Sequence, residues 1–103
     1  REGLKQVARL CLSKTEYAKG RFRSIPGVEV PENGPTFNEF IVRLPGDAAD
    51  LIGRALERGI LPGLPLGQFY PSMENSMLVA VTEKRTKDDI DLLADTVEAL
   101  LCQ

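Results

Sequence analysis

The end of the chain constrains the fold most, because a wholly apolar run is followed almost at once by an amphipathic helix. Residues 77–81 are continuously apolar, which is typical of a strand buried on both faces. Thr86 and Asp89 have the three-residue spacing of a capping box, which marks the first turn of a helix. The apolar stripe of this helix comprises Ile90, Leu93, Ala94, Val97, Leu100 and Leu101. An apolar stripe of this kind must pack against another helix or a sheet, so the strand and the helix together predict a layered fold.

A first helix is predicted from Leu4, because apolar residues follow helical spacing as far as Ala18. No residue that could cap its start precedes it, so we expect the helix to begin upstream of Arg1. On this interpretation residues 1–24 link a larger domain to a small domain formed by residues 25–103.

The middle of the chain predicts strands on either side of a second helix. Residues 28–30 and 37–44 have the composition of strands. Asp47 predicts the N-cap of the helix, and Gly59 predicts its end, because glycine adopts the left-handed closing conformation without strain. Prolines within residues 60–66 permit at most a short or edge strand.

The predicted order is helix, strand, strand, helix, short strand, strand, helix. Three helices with one apolar stripe each can cover one face of a small sheet. The sequence therefore predicts an α/β (α+β) fold, a two-layer sandwich of about three helices on a small, largely antiparallel sheet.

The composition excludes several classes of function. The 103 residues carry a formal net charge of −2, so no basic field favours nucleic acid, and no apolar run approaches the ~20 residues of a membrane span. The chain has no histidine, which argues against a zinc site and against Ser/His or Cys/His nucleophiles. Cys11 and Cys102 lack a C-x-x-C spacing, and two thiols of this kind are expected in the cytoplasm.

Three stretches together resemble one enzyme family. They are GLKQVARLCLSKTEY at residues 3–17, IPGVEVPENGPTFNEFIVRLP at residues 25–45, and GILPGLPLGQFYPSMENSMLVAVTEKRTKDDID at residues 59–91. In this order and spacing they resemble the C-terminal domain of subunit 1, the alpha subunit, of the two-subunit bacterial glycine dehydrogenase (decarboxylating). This enzyme is the P-protein of the glycine cleavage system, and the resemblance covers nearly all of the chain.

The resemblance implies a fold, an activity and partners. The fold would be the small C-terminal domain of fold-type-I enzymes that use pyridoxal phosphate (PLP). The full enzyme, an oxidoreductase of glycine catabolism and a heterotetramer, would decarboxylate glycine and pass the aminomethyl group to the lipoylated H-protein. The cofactor lysine would belong to the beta subunit. We expect this chain to be inactive alone, with no catalytic, cofactor-binding or metal residue, and to have a structural, subunit-contacting role.

The lysines of the chain are poor candidates for a Schiff base, which needs a desolvated or charge-lowered amine. Lys5, Lys14 and Lys19 are predicted on the solvent face of the first helix, and Lys84 and Lys87 lie in a charged corner.

Five residues are candidates for the subunit interface or the active-site wall: Leu64, Phe69, Tyr70, Asn75 and Arg85. The apolar loop residues need a cover, either this domain itself or another domain or subunit. Arg85 could bind a carboxylate through two parallel bonds, although the acidic residues that follow it favour a solvated helix cap. Asn75 precedes the last strand, where small domains of this fold class commonly have the arginine that binds the substrate carboxylate. That departure weakens the case for direct substrate binding.

Two alternatives remain open at the level of sequence. One is a free-standing binding module of the ferredoxin-like or amino-acid-sensing type, and the other is the small domain of a different fold-type-I PLP enzyme, which Asn75 makes less favourable. A free-standing module should bury the apolar stripe of its first helix, whereas a linking helix should leave Leu4 and Val7 poorly covered.

Overall fold

Three helices and three strands make up most of the chain in a computed structural model, which describes residues 2–31, 38–82 and 85–102, with side chains from residue 13 onward. The elements are α1 (Glu2–Arg23), β1 (Glu39–Arg43), α2 (Ala48–Glu57), β2 (Leu64–Pro65), β3 (Ser76–Ala80) and α3 (Lys87–Leu101), with short 3-10 helices at Leu66–Gln68 and Pro71–Met73. Within the described residues no helix is both long enough and apolar enough to cross a bilayer.

The three strands form an antiparallel sheet with β3 at its centre, in the order β1-β3-β2. Val42 pairs with Met77 and Phe40 pairs with Val79, and all four side chains are buried. The two residues of β2 pair with β3 at the other edge, and Pro65 lies in this edge strand. The prediction of an antiparallel sheet with a short strand after the second helix is confirmed.

All three helices contribute to a single core on one face of the sheet. The buried cluster includes Phe22 of α1, Leu51 of α2 and Ile90 of α3 together with Phe40 and Val42 of β1. The rings of Phe22 and Phe40 meet edge to face, with centroids 6.0 Å apart. The predicted two-layer sandwich is therefore confirmed.

The opposite face of the sheet carries no helix among the described residues. Leu78 is half-buried and Ala80 is exposed, so the described residues cover residues 77–81 on one face, and the predicted cover on the second face stays a prediction. The cover is one-sided because all three helical stripes face the same side, which leaves alternate residues of each strand on the other side.

The predicted helix ends are confirmed. The hydroxyl of Thr86 accepts from the amide of Asp89 at 3.1 Å, and the Asp89 carboxylate accepts from the amide of Thr86 at 3.0 Å. The Asp47 carboxylate likewise accepts from the amide of Asp50 at 3.0 Å. Gly59 follows α2 with φ at +77°, the left-handed conformation that glycine favours.

The strand predicted at residues 28–30 is reduced to a single bridge between Glu29 and Arg43, with backbone N–O distances of 2.9 and 2.7 Å. The amide of Val28 donates to the carbonyl of Ile25 in a turn, and Pro31 has no amide to donate, so the ladder cannot extend. The Gly-Pro-Thr-Phe string at residues 34–37 lies outside the described residues.

Helix α1 has 22 residues, which corresponds to a length of about 33 Å. The coverage of Leu4 and Val7, and the position of the Lys5 side chain, lie outside the described side chains. Lys19 is buried, with its ammonium 3.2 Å from Glu16, so its predicted place on the solvent face is wrong. Its methylene chain packs inward while its charge is paired.

A cluster of charged and hydroxyl groups, the Asp91 cluster, fastens α1 to α3. Asp91 accepts hydrogen bonds from the hydroxyl of Tyr17, from Arg21 at 2.8 Å and from Lys87 at 2.9 Å. Arg21 also donates to Asp95 at 2.6 Å. The acidic residues after Arg85, Asp91 among them, are predicted from sequence to form a solvated helix cap. For Asp91 this prediction is wrong, because its carboxylate bridges two helices.

The hydrogen bond from Tyr17, followed by that from Lys87, lowers the pKa of Asp91 below its ordinary value of 3.8. The hydrogen bond to Asp91 in turn raises the pKa of Lys87. Both groups are therefore held in their charged forms at neutral pH.

We predict that Thr86→Ala lowers the free energy of unfolding by about 1 kcal/mol, because the amide of Asp89 loses its acceptor. Urea unfolding followed by circular dichroism measures this loss. Thr86→Ser keeps the hydroxyl and should restore most of the stability, whereas an unchanged midpoint for Thr86→Ala would contradict the prediction.

We also predict a pH-dependent effect of Tyr17→Phe. A folded-state pKa below 3.8 means that the Asp91 contacts stabilise the fold fully above about pH 4 and lose this effect as the pH falls through the folded pKa. Tyr17→Phe removes the largest cause of the shift, so the variant should be less stable at pH 7, and its difference from the unsubstituted chain should shrink below about pH 4.

Urea unfolding across this pH range measures the effect, and carboxyl chemical shifts should report a higher pKa for Asp91 in the variant. Tyr70→Phe is the matched control, because Tyr70 is exposed and lies outside the Asp91 cluster. A stability difference that stays constant from pH 7 to acid would count against the assignment.

Candidate functional site

The five predicted site residues lie in three places. Leu64 and Arg85 lie beside the uncovered face of the sheet, Phe69 and Tyr70 lie in the loop after β2, and Asn75 directly precedes β3. The structure therefore brings Leu64 and Arg85 together around one hollow.

The uncovered face has an apolar row across all three strands. Ile41 of β1 pairs with Leu78 of β3, and Leu64 of β2 pairs with Leu78 from the other edge. Leu64 is 44% exposed, and Leu61, just before β2, is 58% exposed. We call the surface formed by Ile41, Leu61, Leu64, Leu78 and Ala80 the open sheet face.

Gly63 allows the chain to approach β3 closely enough for this pairing. A Cβ at this position would lie 2.8 Å from the carbonyl oxygen of Leu78, closer than real side chains come. The next residue, Leu64, is thereby placed against β3 with its side chain on the open sheet face.

Arg85 lies at the edge of the open sheet face. It lines one hollow with Glu39 and Leu64 and a neighbouring hollow with Asp89 and Leu92. Its guanidinium makes no ion pair with any residue in the described part of the chain, and it helps, after the hydrogen bonds from Thr86, to lower the pKa of Asp89. This arrangement leaves a half-buried cation beside an apolar surface, which suits contact with an acidic group of another element.

The loop after β2 turns one side chain inward and two outward. Leu66 is buried, and its carbonyl accepts from the amides of Phe69 and Tyr70 at 3.0 and 2.9 Å. Phe69 and Tyr70 are 60% and 57% exposed. From the sequence, the apolar residues of this loop could be covered either by this domain or by another domain or subunit. In the structure this domain covers Leu66 and leaves Phe69 and Tyr70 exposed.

Asn75 organises the backbone at the start of β3. Its carbonyl accepts from the amide of Leu44 at 2.7 Å, and the carbonyl of Glu74 accepts from the amide of Ala48 at 2.9 Å. The exposed side chain of Asn75 therefore stands at a fixed point between the end of β1 and the start of α2. Its role in an active-site wall stays a prediction.

Two of the described lysines are ion-paired with carboxylates. Lys19 is paired with Glu16 and Lys87 with Asp91, and no described lysine lines either hollow beside Arg85. The hydrogen bond to Asp91 raises the pKa of the Lys87 ammonium, which therefore keeps its proton and is a poor nucleophile. The described residues also include no group of three side chains able to hold a metal ion. No catalytic step follows from these residues.

Comparison with known sequences identifies clear relatives. The chain is 50% identical over 101 residues to a probable glycine dehydrogenase (decarboxylating) subunit 1 from Geotalea uraniireducens, and 42% identical over 101 residues to a protein of the same name from Moorella thermoacetica. Each match covers 98% of this chain but 23% of the relative. The chain thus spans about a quarter of the length of these relatives. No family profile matches it.

Solved structures show the same fold. A glycine decarboxylase (P-protein) of the glycine cleavage system, in inhibitor-bound form, superposes with a TM-score of 0.86 at 30% identity over 97% of this chain and 22% of its own. LysN, an alpha-aminoadipate aminotransferase from Thermus thermophilus complexed with N-(5'-phosphopyridoxyl)-L-leucine, gives a TM-score of 0.73 at 20% identity, over 98% of this chain and 27% of its own. The second match concerns the fold alone.

These findings confirm the predicted fold class, because the solved neighbours contain this arrangement as a domain of fold-type-I PLP enzymes. In sequence and in fold, the chain is thus similar over nearly its whole length to the C-terminal region of glycine dehydrogenase (decarboxylating) subunit 1, as the sequence analysis predicted.

Proposed function

We propose that the chain is part of the alpha subunit of glycine decarboxylase, the P-protein of the glycine cleavage system. The full protein, with its beta subunit, decarboxylates glycine and transfers the aminomethyl group to the lipoylated H-protein, which makes it an oxidoreductase of glycine catabolism. The observation that carries this proposal is the 50% identity to a probable subunit 1 across 98% of the chain.

The full enzyme uses PLP, which when bound stabilises the negative charge left on the α-carbon of an amino acid. The lysine that holds the cofactor belongs to the beta subunit. The pairing of Lys19 and Lys87 with carboxylates supports this assignment, because neither amine is available to a carbonyl group.

This chain has a structural and subunit-contacting role within that enzyme, and it is inactive alone. Residues 1–24 link a larger domain to the small domain of residues 25–103. Support comes from the two anchors of α1, which are the burial of Ala18 and Phe22 in the core and the Asp91 cluster. A helix held in both ways fixes the small domain rigidly to whatever precedes it. The assembly is a cytoplasmic heterotetramer.

Phe69 and Tyr70 contact the beta subunit in this proposal, and Asn75 and Arg85 border the active site. The support is the exposure of two aromatic side chains in one loop, since aromatic residues are enriched at protein interfaces. The hydrogen bonds that the carbonyl of Leu66 accepts from the amides of Phe69 and Tyr70 hold both residues in a fixed turn.

The alternatives have less support. A free-standing ferredoxin-like or amino-acid-sensing module would not be expected to occur as 23% of a longer enzyme subunit. A different fold-type-I PLP enzyme is disfavoured because the aminotransferase match rests on fold alone, at 20% identity.

The proposed function is tested with the full-length subunit that contains this chain. We expect release of carbon dioxide from carboxyl-labelled glycine when this subunit, the beta subunit, PLP and lipoylated H-protein are combined, and no release when either subunit is omitted. Transamination of amino acids without any loss of the glycine carboxyl group would refute the assignment and favour the aminotransferase alternative.

The proposed subunit contact is tested by replacing both exposed aromatics. Phe69→Ser with Tyr70→Ser should weaken binding of the beta subunit by roughly tenfold or more, because buried aromatic residues dominate interface energies. Analytical ultracentrifugation measures the affinity. Leu56→Ser, at an exposed leucine of α2, is the control and should leave it unchanged. Equal affinities for both variants would remove the loop from the interface.

A further inference from the structure

A hollow with acidic residues in its lining lies between the start of α2 and the loop that carries Phe69 and Tyr70. Its volume is about 290 Å³, and no basic side chain of the described residues lines it. The residues that line it are Asp47, Ala49, Pro65, Gly67, Gln68 and Glu74. Pockets for free small molecules usually measure roughly 300–1,000 Å³. A hollow at the lower limit of that range suits a single side chain of another protein.

The backbone holds Glu74 at the wall of this hollow. Its carbonyl accepts from the amide of Ala48 at 2.9 Å, and a Cβ on Gly67 would lie 3.0 Å from the Cα of Glu74. The loop and α2 therefore approach this residue closely from two sides. The exposed carboxylate of Glu74 makes no hydrogen bond or ion pair with another described residue. The hollow thus has an unpaired negative charge on a fixed stretch of backbone.

Two aromatic side chains beside the hollow favour the same kind of ligand. Phe69 and Tyr70 directly follow Gln68, and both are exposed. The face of an aromatic ring attracts a cation. Arginine can stack on such a ring while its planar guanidinium binds a carboxylate through two parallel bonds. The acidic hollow and the aromatic pair are separate features, and both are complementary to an arginine.

We propose that an arginine of the beta subunit inserts into this hollow, where it binds the carboxylate of Glu74 and stacks on Phe69 or Tyr70. The inference rests on the proposed function, because it takes this loop to contact the beta subunit. It adds the chemistry of that contact. The aromatic rings supply apolar contact area, and the charge selects a basic partner and fixes its register.

The geometry also favours a net gain from the ion pair. A carboxylate on a backbone that is already fixed loses little freedom when a partner binds. Because Glu74 is exposed in the free chain and lies at the edge of the hollow, pairing it costs less desolvation than pairing a buried charge. A metal ion is a poorer occupant, since the described residues include no group of three side chains that could ligate one.

Binding of the beta subunit to the full-length alpha subunit tests the inference. Glu74→Gln removes the charge and keeps the backbone contact to α2. It should weaken binding roughly tenfold at low salt and by less at high salt, because salt screens a charge pair at the edge of an interface. The matched control Glu57→Gln removes an exposed carboxylate at the end of α2 and should leave the affinity unchanged. Analytical ultracentrifugation at low and high salt measures both affinities.

Gln68→Glu is a second variant, whose expected effect a folding defect cannot imitate. It adds a carboxylate to the lining of the hollow and should tighten binding of the beta subunit several-fold at low salt. A misfolded variant would bind more weakly. Unchanged or weaker binding of correctly folded Gln68→Glu would count against a basic ligand.

Three further results would overturn the inference. Equal affinities of Glu74→Gln and Glu57→Gln would remove the hollow from the interface, and a loss that does not depend on salt would exclude an ion pair. Weaker self-association of the alpha subunit with unchanged beta binding would assign the hollow to a second copy. A complex that forms but is insensitive to Glu74→Gln contradicts this inference alone, whereas failure of the unsubstituted subunit to bind the beta subunit contradicts the proposed function and this inference with it.

Discussion

Hydrogen bonding along both edges of β3 is the constraint on which the remaining structure depends. This strand pairs with β1 on one side and β2 on the other, so it joins parts of the chain that do not otherwise meet in the sheet. The two residues before it extend this role, because the carbonyls of Glu74 and Asn75 accept from the start of α2 and the end of β1. Loss of β3 would therefore release the sheet and one helix together.

The elements that local sequence could specify were predicted well. Thr86 with Asp89, Asp47 and Gly59 each set a helix end through contacts within a few residues, so the signal is contained in the local pattern. The one-sided burial of the sheet could not be predicted in this way. Met77 and Leu78 are equally apolar in sequence, and only the common side of the three helices makes the first buried and the second half-buried.

The candidate site was predictable in outline, but its organisation was not. The sequence showed an apolar loop that contains Phe69 and Tyr70. It did not show which side chains of the loop point inward, because that depends on the hydrogen bonds that the carbonyl of Leu66 accepts from the amides of Phe69 and Tyr70. The Asp91 cluster was missed because its partners on α1 and α3 lie 70 or 74 residues apart in sequence. Its one available signal was the four-residue spacing of Tyr17 and Arg21 on α1, which matches that of Lys87, Asp91 and Asp95 on α3.

The alternation of charge along α3 also limits how α1 can slide. Lys87, Asp91 and Asp95 follow one another at one-turn intervals, and Arg21 sits against the two acids. A shift of α1 by one turn, about 5.4 Å, would bring Arg21 towards Lys87 in one direction and towards Ala99 in the other. The first displacement would bring the positive charges of Arg21 and Lys87 together, and the second would break one of the two ion pairs of Arg21. A displacement of α1 by one turn is therefore unfavourable in either direction, so the Asp91 cluster fixes the position of α1 along α3.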